Sequence, residues 1–390
     1  MSSSTRDHRG GPRSPLAGVR VLDMSALGPG PFCSMLLSDF GADVITVERP
    51  EPPRLDPAMY FARGKRSMIV DIRAPGGTEV VERLAEHVDV LLESNRPGTM
   101  ERRGLGPDVL CTRNPRLIYT RLTGWGQDGP YRERAGHDIN YLGISGTLGL
   151  LGGPDGGVPV PPFALLGDLA GGSMFAALGI MLALFERTLT GQGQVVDTAI
   201  VDGSALLNTP MLAELNAGTW PGPDRHFLAG AAPFYGAYRC SDDRFFAVGA
   251  IEPKFYASFL AGLGLAGTVD PGRQLDAGTW DSLRARVAEA FASKPRSHWA
   301  AVFADLDACG APVLELDELA EDEHLRERGT IIRDRDQLAA APAPRLSRTP
   351  GRLRPPPHSR GADTRAVLDE AGFSATEIDE LAATGAVVLT

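Results

Sequence analysis

Short runs of aliphatic and β-branched residues alternate, through the first half of the chain, with longer segments whose apolar positions recur at helical spacing. Val19 to Asp23 (VRVLD) reads as a strand, Phe32 to Phe40 as a helix and Asp43 to Glu48 (DVITVE) as a second strand. A helix over Gly77 to His87 leads into a strand at Val88 to Glu93, and further strands are expected at Leu117 to Leu122 and Val195 to Ala199. Strands separated by helices pair in parallel, because each helix carries the chain back to the end from which the strand started. The expected class is α/β, with a large Rossmann-like open sheet. The apolar run Met174 to Phe185 is closed by Glu186 and Arg187 and reads as a buried helix too short to cross a bilayer.

The pattern changes at Trp220 to Asp224 (WPGPD), where Pro and Gly interrupt the periodicity and mark a linker. Beyond it, Phe234 to Cys240 and Arg244 to Ala250 read as aromatic-rich strands of a hairpin turned by Ser241, Asp242 and Asp243, with helices from Pro253 and Asp281. Ser297 stands as the N-cap of a helix over His298 to Ala308, with Gly310 just past its end. Ala341 to Pro357, rich in Pro and Arg, reads as an extended arm before a last helical stretch at Arg365 to Leu381. The expected division is a disordered extension over 1–14, a large α/β domain over 15–215, a linker and small α+β domain over 216–329, and a C-terminal arm over 330–390 that returns to the large domain.

Composition narrows the function. The 390 residues carry 39 Lys and Arg against 49 Asp and Glu, a formal net charge of -10, which argues against nucleic acid as a partner. Cys33, Cys111, Cys240 and Cys309 are far apart, with no CxxC or CxxH spacing, so no metal site, zinc cluster or disulfide framework is expected, and a reducing cytoplasm is the expected compartment. Residues 1–14 lack the apolar core of a secretory signal; their arginines leave a transit peptide as the alternative to a plain extension. No membrane partner is expected.

Three groups of residues can carry chemistry. Gly28-Pro29-Gly30-Pro31 follows the first strand and Glu48 ends the next, as in a dinucleotide-binding turn, but Cys33 stands at the third glycine position and the prolines lack the N–H groups a pyrophosphate needs. A tight strand-to-helix turn is the simpler reading. Cations recur around the strands: Arg49, Lys65 and Arg66 in GKRS, Arg96 in NRPG and Arg103. Strand ends of one open sheet share a crevice, so these can converge on phosphates and a purine, although each singly also reads as a solvated surface charge. The most informative strings are GHDINY at 136–141 and GDLAGG at 167–172. His137 and Asp138 sit among polar neighbours, Arg134 and Asn140, where an imidazole can exchange protons. Asp168 precedes the apolar run, either as a carboxylate at a buried helix start or only as its N-cap. Glu252, before Pro253, is either a third acid or a helix-start residue.

Taken in order, these segments resemble the family III CoA-transferases (CaiB/BaiF) from Pro15 to about Arg360. The matching blocks are PLAGVRVLD at 15–23, FGADVI at 40–45 with Glu48-Arg49-Pro50, Arg96-Pro97-Gly98 with Gly104-Leu105-Gly106, TGWGQ at 123–127 with Gly129-Pro130, Gly167-Asp168, and GQGQVVD at 191–197. GHDINY followed by AVGAIEP at 247–253 is similar to the α-methylacyl-CoA racemase branch. The resemblance implies a 2-methylacyl-CoA substrate, with no separate cofactor. It implies His137 and Asp168 as two acid/base groups, with Glu252 supporting the histidine; chemistry through an enolate then asks for donors to the enolate oxygen, which backbone N–H groups near His137 and Asp138 can supply, and for Arg49 with the other cations to hold the CoA. In the transferase branch the residue matching Asp168 is instead a nucleophile that moves CoA between carboxylic acids through covalent intermediates. The family also implies an interlocked homodimer with its site between the large domain of one chain and the small domain of the other. One position departs: racemases carry a supporting asparagine where this chain has Ala164, and alanine cannot hydrogen-bond through its side chain. Phe163, Met211 and Phe234 are candidate walls for the acyl group.

Overall fold

The computed structural model describes residues 14–25, 28–52, 60–152, 156–334, 337–355 and 359–390; the extension expected over 1–14 lies, Ser14 apart, outside them. In chain order the elements are β1 (Arg20–Asp23), α1 (Pro29–Asp39), β2 (Asp43–Glu48), β3 (Arg66–Val70), α2 (Gly77–Ala85), β4 (Val90–Glu93), α3 (Pro107–Arg113), β5 (Ile118–Thr123) and α4 (Asp138–Ile144). A π-helical segment, Leu165–Met174, runs directly into α5 (Phe175–Thr190), followed by β6 (Val195–Ala199), α6 (Ile200–Leu207) and α7 (Thr209–Ala217). Then come β7 (Tyr235–Arg239), β8 (Phe245–Gly249), α8 (Pro253–Gly262), α9 (Trp280–Ala292), α10 (Arg296–Ala304), β9 (Gly310–Pro312), α11 (Glu323–Arg328), β10 (Ile331–Asp334), β11 (Gln337–Ala340), α12 (Thr364–Glu370), α13 (Ala375–Ala383) and β12 (Val387–Val388).

The chain divides into two compact units. The first contains the residues up to Ser145, Pro162–Asn208 and Ala340–Thr390; the second contains Gly146–Pro161 and Thr209–Ala339. The first unit is built on a seven-stranded sheet ordered β12-β3-β2-β1-β4-β5-β6, parallel throughout except for β12, which pairs antiparallel with β3. Successive side chains of a strand face opposite sides, and the central strands are apolar on both. Leu22, Ile45, Leu91 and Tyr119 pack with Val80, Val81 and Leu84 of α2 and with Val367 and Ile378 of the C-terminal helices. Val21, Val44, Val90, Leu92, Ile118 and Leu122 pack on the other side with Cys33 and Leu37 of α1 and with Ala176, Ile180 and Ala183 of α5. Strand order reverses between β1 and β4, which opens a crevice at the carboxyl ends of those two strands.

The second unit holds the three-stranded antiparallel sheet β7-β8-β9. Phe234, Phe246, Phe259, Phe291, Trp299 and Phe303 form its core, and the Trp299 indole N–H donates to the Phe291 carbonyl at 2.9 Å.

Several local expectations are corrected. β3 has little signal in the sequence, because its apolar stretch is short and follows two cations. Ser297 lies inside α10, which starts at Arg296 after Pro295, and Gly310 opens β9 rather than ending a helix. The stretch Arg365 to Leu381 is two helices, broken at Gly372. The helix after Asp168 is neither short nor wholly buried. Leu165–Thr190 is a continuous run of 26 residues, long and apolar enough to cross a membrane by length and composition alone, and one of its faces is exposed.

Candidate active site

Beyond β5 the chain turns through Thr123-Gly124-Trp125-Gly126, with the Gly126 N–H donating to Thr123 Oγ1 at 3.0 Å. A side chain at Gly124 would meet the Tyr141 ring at 2.0 Å, so glycine is required for α4 to pack here. Tyr141 is buried, stands edge-on to Trp125 and donates its hydroxyl to the Gly136 carbonyl at 2.5 Å. This bond fixes the loop just before α4. His137, extended at the helix start, donates its backbone N–H to Asn140 Oδ1 at 3.1 Å and is exposed, whereas Asp138 is buried in the first turn.

Asp168 is delivered by the π-helical segment. Phe163 and Ala164 precede it in left-handed backbone, with φ of 52° and 62°, and the Leu169 N–H reaches back five residues to the Ala164 carbonyl at 3.2 Å. The N–H of Asp168, in the first turn and so without a helical acceptor, donates to Asp138 Oδ1 at 2.8 Å. Any side chain at Gly167 would come within 2.3 Å of that oxygen, which explains the Gly-Asp pair. A Cβ at Gly28 would lie 3.6 Å from Asp168 Oδ2, so the carboxylate sits beside the start of α1, at the crevice where strand order reverses. Burial, and after it the Asp138 charge, raise the Asp168 pKa and His137 lowers it, leaving it at about 6. The structure thus brings Asp138, Asp168 and His137 together. Glu252 opens α8 in the second unit, exposed, with Pro253 at the first helical position.

The candidate cations separate into two sets. Arg49 is exposed directly after β2, Arg96 is exposed after β4 with its charge acting on Tyr141, and Arg103 is exposed with its charge acting on Asp71. Lys65 is corrected. It is buried, and its ammonium is taken by the Pro31 carbonyl at 2.8 Å, Ser34 Oγ at 2.6 Å and Asp23 Oδ2 at 3.3 Å. Arg66 is corrected as well: it begins β3 instead of following a strand, and its guanidinium is paired with Asp43 at 2.9 Å and Glu370 at 2.7 Å. Glu48, the acid a dinucleotide-binding turn would need for a ribose, accepts from Ser67 Oγ at 2.5 Å and pairs with Arg360. Of the wall candidates, Phe163 is exposed, Met211 lies in the second unit, and Phe234 is wholly buried in that unit's core, which removes it from the set. Among the described residues no group of three or more His, Cys, Asp or Glu is placed to hold a metal ion.

His137 and a carboxylate of raised pKa stand together beside the reversal point of a doubly wound parallel sheet, and the sequence profile of CoA-transferase family III matches residues 16–364. The chain belongs to that family. It is 45% identical over 371 residues to the alpha-methylacyl-CoA racemase of Mus musculus, covering 94% of this chain and 96% of that one. To the alpha-methylacyl-CoA racemase of Homo sapiens it is 44% identical over 372 residues, with the same shares covered. The crystal structure of a CAIB/BAIF family protein from Brucella suis has a TM-score of 0.79 at 26% identity, covering 92% of this chain and all of that one.

Proposed function

We propose that this protein is an α-methylacyl-CoA racemase, which inverts the carbon next to the thioester carbonyl by removing its proton on one face and returning a proton on the other. The observation that carries the reading is Asp168, half-buried beside His137, with a carboxyl pKa raised to about 6. A base works best when its pKa lies near the working pH, and a carboxyl raised this far can both take and return a proton. In one direction Asp168 removes the α-proton and His137 protonates the opposite face of the enolate; in the other direction the roles exchange. The N–H groups of Asp138 and Ile139, the first two residues of α4, lie ahead of any helical acceptor and suit the enolate oxygen, whereas those of His137, Asn140 and Tyr141 are bonded within the turn. Arg49, Arg96 and Arg103 would serve the phosphates and adenine of the CoA, and Glu252 would support His137. The reaction needs no further cofactor. The similarity to two alpha-methylacyl-CoA racemases over 94% of the chain supports the substrate class.

The same proposal includes a homodimer, supported by the exposed apolar face of α5, and a reducing compartment such as the cytoplasm, supported by four free cysteines. The test is to incubate one enantiomer of a 2-methylacyl-CoA with the protein in heavy water without an acceptor acid. Deuterium is expected at the α-carbon with the thioester intact. Transfer of CoA to an added carboxylic acid, with release of the free 2-methyl acid and no exchange, would overturn the racemase reading in favour of a transferase with Asp168 as nucleophile. His137→Ala is expected to lower inversion of the α-carbon by about 100-fold or more in a folded protein; full inversion in that variant would remove His137 from the mechanism.

A further inference from the structure

Both backbone handles of Asp168 are held by side chains. Its N–H is bonded to Asp138, as described above, and its carbonyl faces the hydroxyl of Ser173, five residues on, at 2.9 Å. Ser173 is fully buried, and the same hydroxyl lies 2.7 Å from the Pro29 carbonyl in the first turn of α1. A serine has one O–H hydrogen, so it is shared between two carbonyls belonging to different helices. The first turn of α1 is itself anchored to the sheet. Lys65 holds the Pro31 carbonyl and Ser34, and Asp23, at the end of β1, accepts from Ser34 and Ser25. None of these groups is displayed to solvent: Asp23, Ser34 and Ser173 are 0% exposed and Lys65 is 5% exposed.

We infer that Ser173 is a positioning residue for Asp168: by sharing its hydroxyl between Pro29 and Asp168 it fixes the carboxylate against the anchored start of α1. This rests on the reading of Asp168 as an acid/base group. A carboxylate that must meet an α-proton at hydrogen-bonding range loses rate steeply when its backbone drifts, even though nothing that holds the CoA portion is disturbed. The ionisable groups whose charge Asp168 feels are Asp138 and His137, both at the start of α4, and Ser173 contributes no charge. Its effect on the pH profile is therefore through position and hydration.

The experiment measures deuterium exchange on a 2-methylacyl-CoA as a function of pH for the full-length wild type, Ser173→Cys, Ser173→Ala and Asp168→Asn. For Ser173→Ala, kcat is expected to fall about tenfold with KM within about twofold of wild type, and the acidic limb to move to lower pH as the carboxyl gains water. The thiol is a weaker donor of nearly the same volume, so Ser173→Cys is expected between the two. Wild-type kcat and limb in a folded Ser173→Ala, or kcat and KM altered together with the limb unmoved, would overturn the inference. Should the alanine variant not fold, a wild-type limb in Ser173→Cys would overturn it. Asp168→Asn separates the two claims: retained inversion of the α-carbon there defeats the acid/base reading itself, whereas lost inversion there with an unaffected Ser173→Ala defeats only the positioning role.

Discussion

Two charged neighbours act on the Asp168 carboxyl in opposite senses, and burial outweighs both. In the direction in which Asp168 takes the α-proton, its ionised form is required, so that rate is expected to fall with decreasing pH below about 6. The same shift bears on stability. The folded carboxyl keeps its proton up to about pH 6, whereas the unfolded one releases it near 3.8, so between these values the folded state binds more protons and stability falls as pH rises. Asp168→Asn removes that penalty. After allowance for the carboxyl's partial exposure, the variant is expected to be more stable than wild type by about 1–2 kcal/mol at pH 7, with the difference gone below about pH 4. Urea midpoints at the two pH values check this, and equal midpoints at both would contradict it. His137 and Asp168 were legible in the sequence because each breaks its local pattern, one as an imidazole in a polar loop and the other as a carboxylate ahead of an apolar run. Ser173, inside the string that follows, carries no such signal; its role is set by Pro29, which is distant in sequence.

At the scale of elements, the misread cations trace to one missed strand. Without β3, Lys65 and Arg66 look like loop residues at the crevice; with it, Lys65 is drawn under α1 and Arg66 becomes the first residue of the strand, within reach of Asp43 and Glu370. Lys65 then belongs to the stability of the first unit. Removing its counter-ion leaves a buried ammonium unpaired, and breaking such a pair costs about 3–5 kcal/mol. Asp23→Asn is expected to lower stability by that order, while Asp23→Asn combined with Lys65→Met is expected to recover part of the loss. A double-mutant cycle by chemical denaturation measures it, and additive losses would show that the two residues are not coupled. Ala164 has a comparable lesson. The sequence shows a missing hydrogen-bonding side chain, but not that residues 163 and 164 take left-handed backbone to start a helix of larger radius, since neither Phe nor Ala announces that conformation.

For the whole molecule, the parallel sheet and the aromatic hairpin unit follow from periodicity, but the surroundings of α5 do not. The apolar run reads as a buried helix, yet Met174, Leu178, Met181, Leu182, Phe185 and Leu189 are exposed along one stripe while Ala176, Ile180 and Ala183 face the sheet. A helix apolar on both sides can take two partners, and periodicity cannot say where the second comes from. A stripe rather than an all-round apolar surface, on a helix whose other side is packed into a protein core, suits a second copy of the chain better than lipid. Leu182→Glu, a charge placed in the middle of the stripe, is therefore expected to shift the protein from dimer to monomer in sedimentation velocity and to lower exchange activity with it, if the site is shared between two chains as the family resemblance implies. The first unit's cores do not include Leu182, so the far-ultraviolet circular dichroism of the variant is expected to match wild type. A wild-type protein that stays monomeric at micromolar concentration, or one that remains monomeric and binds phosphatidylcholine vesicles through this face, would overturn the dimer and with it the shared site.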